Sequence, residues 1–264
     1  MPKVKVNDIQ MYYEVKGQGF PLVMIMGLGG NLDWWDPLII QGLSRNFRTV
    51  MFDNRGAGRT DLSDKQYTIK LFADDTAGLM DALTIPRANV LGISMGGMIA
   101  QELAINYPEK VEKLILCSTN CGSARSVPAS QETVNMMMRA GSASSTEETA
   151  RMLWPLGLTR DFIDRNADRL ELALQRISKA PTSPGCFQRQ ALACMSFNSY
   201  DRLRRIRAPT LVLSGKQDIL IPWENGPILS KAIPNAKLVC LEKLAHMLVE
   251  EMDEMLHTIT EFLL

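Results

Sequence analysis

Short apolar segments alternate with amphipathic stretches along most of the chain. The segments with the length and character of strands are 3–7, 11–16, 22–26, 47–52, 89–93, 111–117, 209–214 and 237–241. Helical patterns lie between them at about 36–44, 69–83, 95–106, 224–232 and 249–263. Strands that are apolar on both faces and alternate with helices are typical of a parallel sheet covered on both sides. The pattern predicts an α/β fold with a mostly parallel central sheet and helices on both faces.

The alternation stops between about residues 121 and 207. That stretch contains no convincing strand, and its helix-like segments lie near 130–140, 146–153, 160–178 and 186–196. The helix-breaking residues within it are Pro155, Gly157, Pro181, Pro184 and Gly185. We predict a core formed by residues 1–121 and 207–264. Residues 122–206 are then a helical lid, inserted after the sixth strand and lying over the strand ends.

A candidate nucleophile follows the strand at 89–93. The segment Gly92-Ile93-Ser94-Met95-Gly96 has the form Gly-x-Ser-x-Gly, in which a strand turns sharply into a helix and raises the serine above the sheet edge. A glycine-rich turn with no catalytic role is the alternative interpretation. The strand before this segment and the helix after it favour Ser94 as a nucleophile.

A serine nucleophile needs a base, and histidine is the side chain suited to that role near neutral pH. His246 follows the strand at 237–241, whereas the other histidine, His257, lies within the last helical stretch. Strand ends are where α/β sheets build their sites, so His246 is the candidate base.

The imidazole in turn needs a carboxylate that fixes its tautomer and stabilises its cation. Asp218 follows the strand at 209–214, although a turn or helix-capping aspartate is the alternative. Residues 118–121, where related architectures can place the acid, hold no carboxylate. The chain order Ser94, Asp218, His246 is that of an α/β-hydrolase triad.

Acyl transfer also needs two amide donors that stabilise the oxyanion. We predict that these are the N–H groups of Met95, at the helix start, and of Leu28, in the loop after the strand at 22–26. Gly27 and Gly29 of that loop, with Asp53 about 24 residues on, also resemble a dinucleotide-binding fingerprint. Leu32 stands where the fingerprint requires a third small residue, which disfavours this alternative.

Composition narrows the range of partners. The 264 residues include 29 Lys and Arg against 29 Asp and Glu, so no overall charge attracts nucleic acid or an anionic membrane. Residues 1–6 lack the apolar run of a signal peptide, and the run at 22–26 is too short to span a bilayer. The five cysteines and two histidines show no metal-site spacing. We expect a cytoplasmic protein with reduced cysteines, a small-molecule substrate, no metal or organic cofactor, and no nucleic-acid or membrane partner.

Three regions together resemble the α/β-hydrolase superfamily over nearly the whole chain. They are the serine turn at 92–97, the segment 52–60, which is similar to the superfamily's Asp-x-Arg-Gly-x-Gly-x-Ser turn, and the Asp218 and His246 loops. Within the superfamily, the residues around Ser94 and the helical lid are most similar to small carboxylesterases and 3-oxoadipate enol-lactonases. The resemblance implies a lid over an apolar acyl or alcohol pocket, and structural roles for the aspartate and arginine of the second segment.

Some positions depart from related patterns. Met26 stands where most relatives have histidine before the glycine of the oxyanion loop. Met247 stands where carbon–carbon-bond hydrolases of this fold carry tryptophan after the catalytic histidine, which disfavours that activity. A haloalkane dehalogenase would need aspartate in place of Ser94.

We therefore expect a serine hydrolase that cleaves small carboxylic esters through an acyl-enzyme. Hydrolysis of an enol-lactone is one alternative, and a small-molecule sensor of the same fold with slow turnover is another. The candidate pocket residues are Trp34, Met136, Met137, Met138, Leu153 and Trp154. Methionines in a run on a helix are more often core packing, but flexible methionines over a site would suit a permissive substrate range.

Overall fold

An eight-stranded sheet forms the centre of the computed structural model, which describes residues 2–122 and 125–264. The strands are β1 (Lys3–Val6), β2 (Ile9–Lys16), β3 (Pro21–Ile25), β4 (Arg48–Phe52), β5 (Ala88–Ile93), β6 (Val111–Cys117), β7 (Thr210–Gly215) and β8 (Ala236–Leu241). Their order is β1-β2-β4-β3-β5-β6-β7-β8. β2 pairs antiparallel with β1 and β4, and the pairs from β4 onward are parallel. The predicted mostly parallel sheet is confirmed, and each strand ends within two residues of its predicted bounds.

Helices follow most of the strands. They are α1 (Pro37–Ser44), α2 (Ile69–Ala82), α3 (Met95–Asn106), α4 (Gln131–Ala140), α5 (Thr146–Gly157), α6 (Arg160–Arg165), α7 (Ala167–Ile177), α8 (Pro184–Met195), α9 (Asn225–Ala232) and α10 (Met252–Leu263). Short 3-10 segments lie at Leu32–Trp34, Pro108–Lys110 and Tyr200–Arg205. Among the residues that the structure describes, no helix is both long and apolar enough to cross a membrane.

Both faces of the sheet are covered because successive residues of a strand point to opposite sides. On one face, Val23 and Ile25 of β3 pack with residues of α2, α3 and α9. On the other face, Leu22 and Met24 pack with residues of α1 and α10. All six residues of the inner strand β5 are buried, which explains why its sequence, apart from Asn89, is apolar rather than alternating.

The helices α4 to α8 lie between β6 and β7, within the predicted insertion 122–206; residues 123 and 124 of that segment lie outside the described residues. α5 and α7, with Leu158 directly after α5, form a small hydrophobic core of their own. Its buried members are Ala150, Trp154, Leu158, Leu170, Leu174 and Ile177. Trp34 and Met247 of the sheet-edge loops pack against this cluster. The insertion therefore rests on the loops that follow β3 and β8.

Two helices of the insertion differ from their predicted bounds. The predicted helix 160–178 is two helices, because the chain leaves helical geometry at Asn166 and its side-chain amide donates to the Phe162 carbonyl at 2.8 Å. The helix predicted to stop near 153 continues through Pro155 to Gly157. Pro155 is exposed and lies in the last turn, where its missing N–H removes a single helical hydrogen bond.

The site-bearing loops meet at one edge of the sheet. β3, β5, β7 and β8 run parallel, so the loops that follow them leave from the same side. These loops carry Leu28, Ser94, Asp218 and His246, in that order. The topology alone thus brings together residues that are up to about 200 positions apart in the chain.

Candidate active site

Ser94 occupies a strained turn between β5 and α3. Its backbone has φ 55° and ψ −122°, which costs a residue with a side chain about 1–3 kcal/mol. A Cβ at Gly92 would lie 2.2 Å from the Gly96 carbonyl oxygen, and a Cβ at Gly96 would lie 2.1 Å from the Ile25 carbonyl oxygen. Both flanking positions therefore exclude a side chain, which is the physical reason for the Gly-x-Ser-x-Gly pattern.

Hydrogen bonds from both sides hold this turn in place. The Ser94 N–H donates to the Cys117 carbonyl at 3.0 Å. The Ser94 carbonyl accepts from the Gly97 N–H at 2.9 Å and from the Thr119 hydroxyl at 2.7 Å. β6 and the start of α3 thus fix the backbone, while the Ser94 side chain lines a cavity.

Asp218 and His246 are in direct contact although 28 residues separate them. The His246 Nδ1 lies 2.8 Å from Asp218 Oδ2, and the two residues are only 8% and 5% exposed. The second carboxylate oxygen, Oδ1, accepts from the backbone N–H groups of Leu220 at 2.9 Å and Ile221 at 2.8 Å. These amides orient the carboxylate, and the carboxylate orients the imidazole.

The two histidines have contrasting environments. His257 lies on α10 with its side chain 79% exposed, and its nearest charged partner is Glu261 at 3.9 Å. It is remote from the contacts that surround His246. His246 is thus buried against a carboxylate, whereas His257 faces solvent.

Two glutamates that the sequence reasoning missed support the His246 loop. Glu250 accepts from the N–H of Ala245 at 3.2 Å and from the N–H of Thr159, in the insertion, at 2.9 Å. Burial raises the pKa of Glu250 despite these bonds. Glu251 accepts from the Lys243 N–H at 2.8 Å. α10 begins at Met252, directly after these two glutamates, and not at the predicted 249.

An apolar cavity of about 250 Å³ joins the separate parts of the site. Ser94 and His246 both line it, together with the two residues predicted to donate to the oxyanion, Leu28 and Met95. Most of its remaining walls are apolar side chains. The structure thus places a nucleophile candidate, a histidine–carboxylate pair and two candidate amide donors around one small volume.

The predicted pocket residues fall into three groups. Trp34, Met137 and Leu153 line the cavity. Trp154 instead lines a neighbouring cavity. Met136 and Met138 line neither, because residues next to Met137 on a helix point about 100° away from it. Of the three candidate methionines, the structure places only Met137 in the wall of this cavity.

The loop after β3 approaches the serine closely. A Cβ at Gly27 would lie 3.1 Å from the Ser94 Cβ and 3.3 Å from the Ile93 carbonyl oxygen, which is closer than ordinary van der Waals contact, so glycine eases this approach of the two backbones. The loop is held from behind by the Asn54 side-chain amide, which donates to the Met26 carbonyl at 3.0 Å.

Gln190, on α8 of the insertion, was not predicted to belong to the site. It is fully buried. Its Oε1 accepts from the Gly29 N–H at 2.8 Å, and its Nε2 donates to the Arg55 carbonyl at 3.3 Å. Gly29 follows Leu28, so this glutamine ties the insertion to the amide beside a candidate oxyanion donor. Nothing in the local sequence distinguishes it from an ordinary helical glutamine.

The segment after β4 is a brace beneath the site. The Asp53 carboxylate accepts from the Leu32 and Arg59 N–H groups, both at 2.8 Å, and burial raises its pKa. Arg55 is fully buried and makes ion pairs with Asp75 at 2.7 Å and with Asp8 at 2.8 Å. Asp53 is the acidic residue on which the dinucleotide-binding alternative depends. Its carboxylate instead accepts hydrogen bonds from backbone amides.

Comparison with known proteins places this geometry among hydrolases. A family model described as alpha/beta hydrolase fold matches residues 21–253. A putative carbamate hydrolase RutD from Azorhizobium caulinodans is 29% identical over 250 residues, which cover 93% of this chain and 91% of that protein. A poly(3-hydroxyalkanoate) depolymerase from Ectopseudomonas oleovorans is 33% identical over 222 residues, which cover 83% of this chain and 75% of that protein.

A solved structure agrees closely with the whole chain. The crystal structure of the enol-lactonase from Burkholderia xenovorans LB400 superimposes with a TM-score of 0.87 and 27% sequence identity. The match covers 99% of both chains. The helices between β6 and β7 therefore belong to the shared architecture and not only the sheet.

Proposed function

The chain belongs to the α/β-hydrolase family, and from that premise we propose that it is a serine hydrolase that cleaves small carboxylic esters through an acyl-enzyme. The observation that carries the proposal is the 2.8 Å bond between His246 Nδ1 and Asp218 Oδ2, beside a cavity that Ser94 also lines. With Nδ1 engaged by the carboxylate, Nε2 is the ring nitrogen that can exchange a proton with the serine and the substrate.

In the first step, the Ser94 Oγ attacks the ester carbonyl carbon and its proton moves to His246 Nε2. The carbonyl oxygen takes the negative charge, and the N–H groups of Leu28 and Met95 stabilise it. Loss of one such donor typically costs about 3–4 kcal/mol of transition-state stabilisation. The tetrahedral intermediate collapses, the ester C–O bond breaks, and the imidazolium gives its proton to the leaving alkoxide.

In the second step, a water molecule repeats the attack on the acyl-enzyme. His246 takes the proton of the water, the bond between the acyl carbon and Ser94 breaks, and the same proton returns to the serine oxygen. The hydrogen bonds to Leu220, Ile221 and His246 hold the Asp218 carboxylate in place, so that it stabilises the imidazolium in both steps. Besides the substrate and the attacking water, the two steps use only side chains and backbone amides of the protein.

Residues 122–206 act as a lid over this site in the proposal, with residues 1–121 and 207–264 as the catalytic core. The support for this division is that α4, α5 and α8 contribute Met137, Leu153 and Phe187 to the cavity wall. A cover of apolar side chains excludes bulk water from the acyl group and strengthens the hydrogen bonds to the oxyanion.

The cavity favours a small acyl substrate, and the relatives suggest which acyl compounds to compare. Their names refer to a carbamate, a polyester and an enol-lactone, each of which has a carbonyl carbon open to attack by a serine. Enol-lactone hydrolysis is the second candidate activity, and the match to the enol-lactonase over 99% of both chains favours it. In a lactone the leaving oxygen stays tethered to the acyl group, so the same residues would act unchanged.

A turnover assay tests the proposal. Wild-type protein is compared on p-nitrophenyl esters from C2 to C12, on enol-lactones and on an aryl carbamate. We expect many turnovers on a short ester or lactone, and a loss on the order of 10⁴-fold or more in Ser94→Ala. The control Ser178→Ala, at an exposed serine after α7, should be unaffected. A single slow turnover on every substrate would favour the sensor alternative, and full activity of Ser94→Ala would refute the proposal.

A further inference from the structure

A second cavity of about 100 Å³ adjoins the one that Ser94 lines. Four residues line both cavities: Met26, Trp34, Ile93 and Met247. Ile93 directly precedes the proposed nucleophile, Met247 directly follows the proposed base, and Met26 precedes the oxyanion loop. Only the side chains of these shared residues therefore separate the second cavity from the proposed reacting centre.

The partition between the two cavities is made largely of side chains that can move. Met26 and Met247 are unbranched and flexible, and methionine adapts readily to a new neighbour. Trp34 is half-buried, on the short helical segment after the oxyanion loop. Within residues 2–122 and 125–264, neither the Trp34 nor the Met247 side chain makes a hydrogen bond, so a substrate chain needs only these side chains to shift in order to pass between them.

The second cavity is lined by an arginine that forms no ion pair with any residue that the structure describes. Its ionisable lining residues are Asp36, Arg169 and Arg176. Asp36 and Arg169 neutralise each other across 2.8 Å. Arg176 donates from Nε to the Asp33 carbonyl at 2.8 Å, and within residues 2–122 and 125–264 it makes no ion pair. The cavity thus carries a net charge of about +1 at one end of otherwise mostly apolar walls.

The electrostatic environment of Arg176 is consistent with this net positive charge. Burial lowers the pKa of its guanidinium, and the more distant Asp36 and Asp33 carboxylates only partly offset that effect. A guanidinium stays protonated under these conditions, so its charge is held in a poorly compensated environment. Its terminal nitrogens have the fork geometry that binds a carboxylate through two parallel hydrogen bonds.

We propose that the second cavity binds the far end of a carboxylate-terminated acyl chain, so that the preferred esters are half-esters of dicarboxylic acids. The acyl chain runs from Ser94 past Trp34 and Met247 to Arg176, and the leaving alcohol occupies the first cavity. The acyl group stays bonded to Ser94 through both chemical steps, so a contact with Arg176 assists both transition states. This assignment rests on the proposed ester hydrolysis.

The test is a ratio measured within each protein preparation. Mono-p-nitrophenyl esters of succinic, adipic and suberic acids are compared with the uncharged p-nitrophenyl butanoate, hexanoate and octanoate. The quantity is kcat/KM for the charged ester divided by kcat/KM for the neutral ester of equal length, in which the fraction of folded enzyme cancels. In wild type we expect a ratio above one at one of these lengths.

Arg176→Met should lower that ratio about 10- to 100-fold, because it removes a charge-assisted hydrogen-bonded pair. Arg165→Met, which removes a 76% exposed arginine at the end of α6, should leave the ratio unchanged. A ratio in Arg176→Met within twofold of wild type at all three lengths would overturn the assignment.

A binding experiment separates this inference from the proposed function. If wild type hydrolyses none of these esters, the proposed ester hydrolysis fails, and monomethyl adipate is titrated into Ser94→Ala protein by calorimetry. Binding of monomethyl adipate that is at least tenfold weaker in the Ser94→Ala, Arg176→Met double variant than in Ser94→Ala supports the proposed carboxylate site at Arg176. Equal binding with and without Arg176→Met overturns it.

Discussion

Gln190→Ala probes how far the insertion sets the geometry of the oxyanion loop. The substitution removes the acceptor of the Gly29 N–H and the donor to the Arg55 carbonyl. Gln190 is fully buried, so its truncation leaves both groups facing a cavity that is closed to bulk solvent. The perturbation therefore acts on the amide next to Leu28, the proposed oxyanion donor, without touching any residue that contacts the reacting atoms.

The expected size follows from these two bonds. Leaving a buried polar group without its partner costs about 1–3 kcal/mol. The loss of two partners therefore favours a shift of the loop that lets these groups form other hydrogen bonds. A displacement of about 1 Å at a catalytic position can cost about 100-fold in rate. We expect kcat to fall about 10- to 100-fold, with KM within about threefold of wild type because the apolar walls of the cavity are unchanged.

The assay is steady-state hydrolysis of a short p-nitrophenyl ester, with active-site concentration fixed by titration. Gln188→Ala is the matched control, since Gln188 is exposed on the same helix. Gln190→Glu keeps an acceptor for the Gly29 N–H and should recover more of kcat than Gln190→Ala, which a general loss of packing would not. Wild-type kcat in Gln190→Ala would refute the reasoning, as would equal losses in the two Gln190 variants.

Three further predictions rest on separate features. His246→Ala should lose nearly as much activity as removal of the nucleophile, whereas His257→Ala on the exposed face of α10 should lose almost none; a large loss in His257→Ala would mean that the base is misassigned. Gly96→Ala should lower the unfolding free energy by about 1–3 kcal/mol in denaturant titrations because its Cβ meets a backbone oxygen at 2.1 Å, while Gly185→Ala, where nothing lies within 4 Å, should not. The hydrogen bond from Arg55 is the largest cause that holds the pKa of Asp8 below its ordinary 3.8, so this carboxylate stabilises the fold above that pH and the stabilisation is lost as the pH falls below it. Asp8→Asn should therefore flatten the dependence of unfolding free energy on pH between 4 and 2, and an unchanged slope would show that another carboxylate dominates.

The parts of the structure that follow from the sequence are those set by periodicity and topology. The inner strands are apolar on both faces because both faces are covered, and that pattern is visible without coordinates. Parallel strands deliver their following loops to one edge, so Ser94, Asp218 and His246 could be grouped from their positions after strands.

The features that escaped prediction depend on contacts between distant segments. Gln190 is one of several glutamines on helices, and only the packing of α8 against the sheet-edge loops gives it the Gly29 and Arg55 partners. Glu250 likewise continues a helical pattern in the sequence, but in the structure it lies before α10, and its carboxylate accepts from the N–H groups of Thr159 and Ala245. The three-methionine run shows the same limit, since the sequence does not reveal which face of α4 is turned towards the cavity, and only Met137 of the three lines it.

Active-site labelling tests the central claim that Ser94 is the nucleophile most directly. Wild-type protein, Ser94→Ala and Asp218→Asn are each treated with a fluorophosphonate, and the modified residue is located by peptide mass mapping. We expect one label per wild-type chain on Ser94, much slower labelling of Ser94 in Asp218→Asn, and no label in Ser94→Ala. Stoichiometric labelling of another residue in wild type, or a label that persists in Ser94→Ala, would contradict the account.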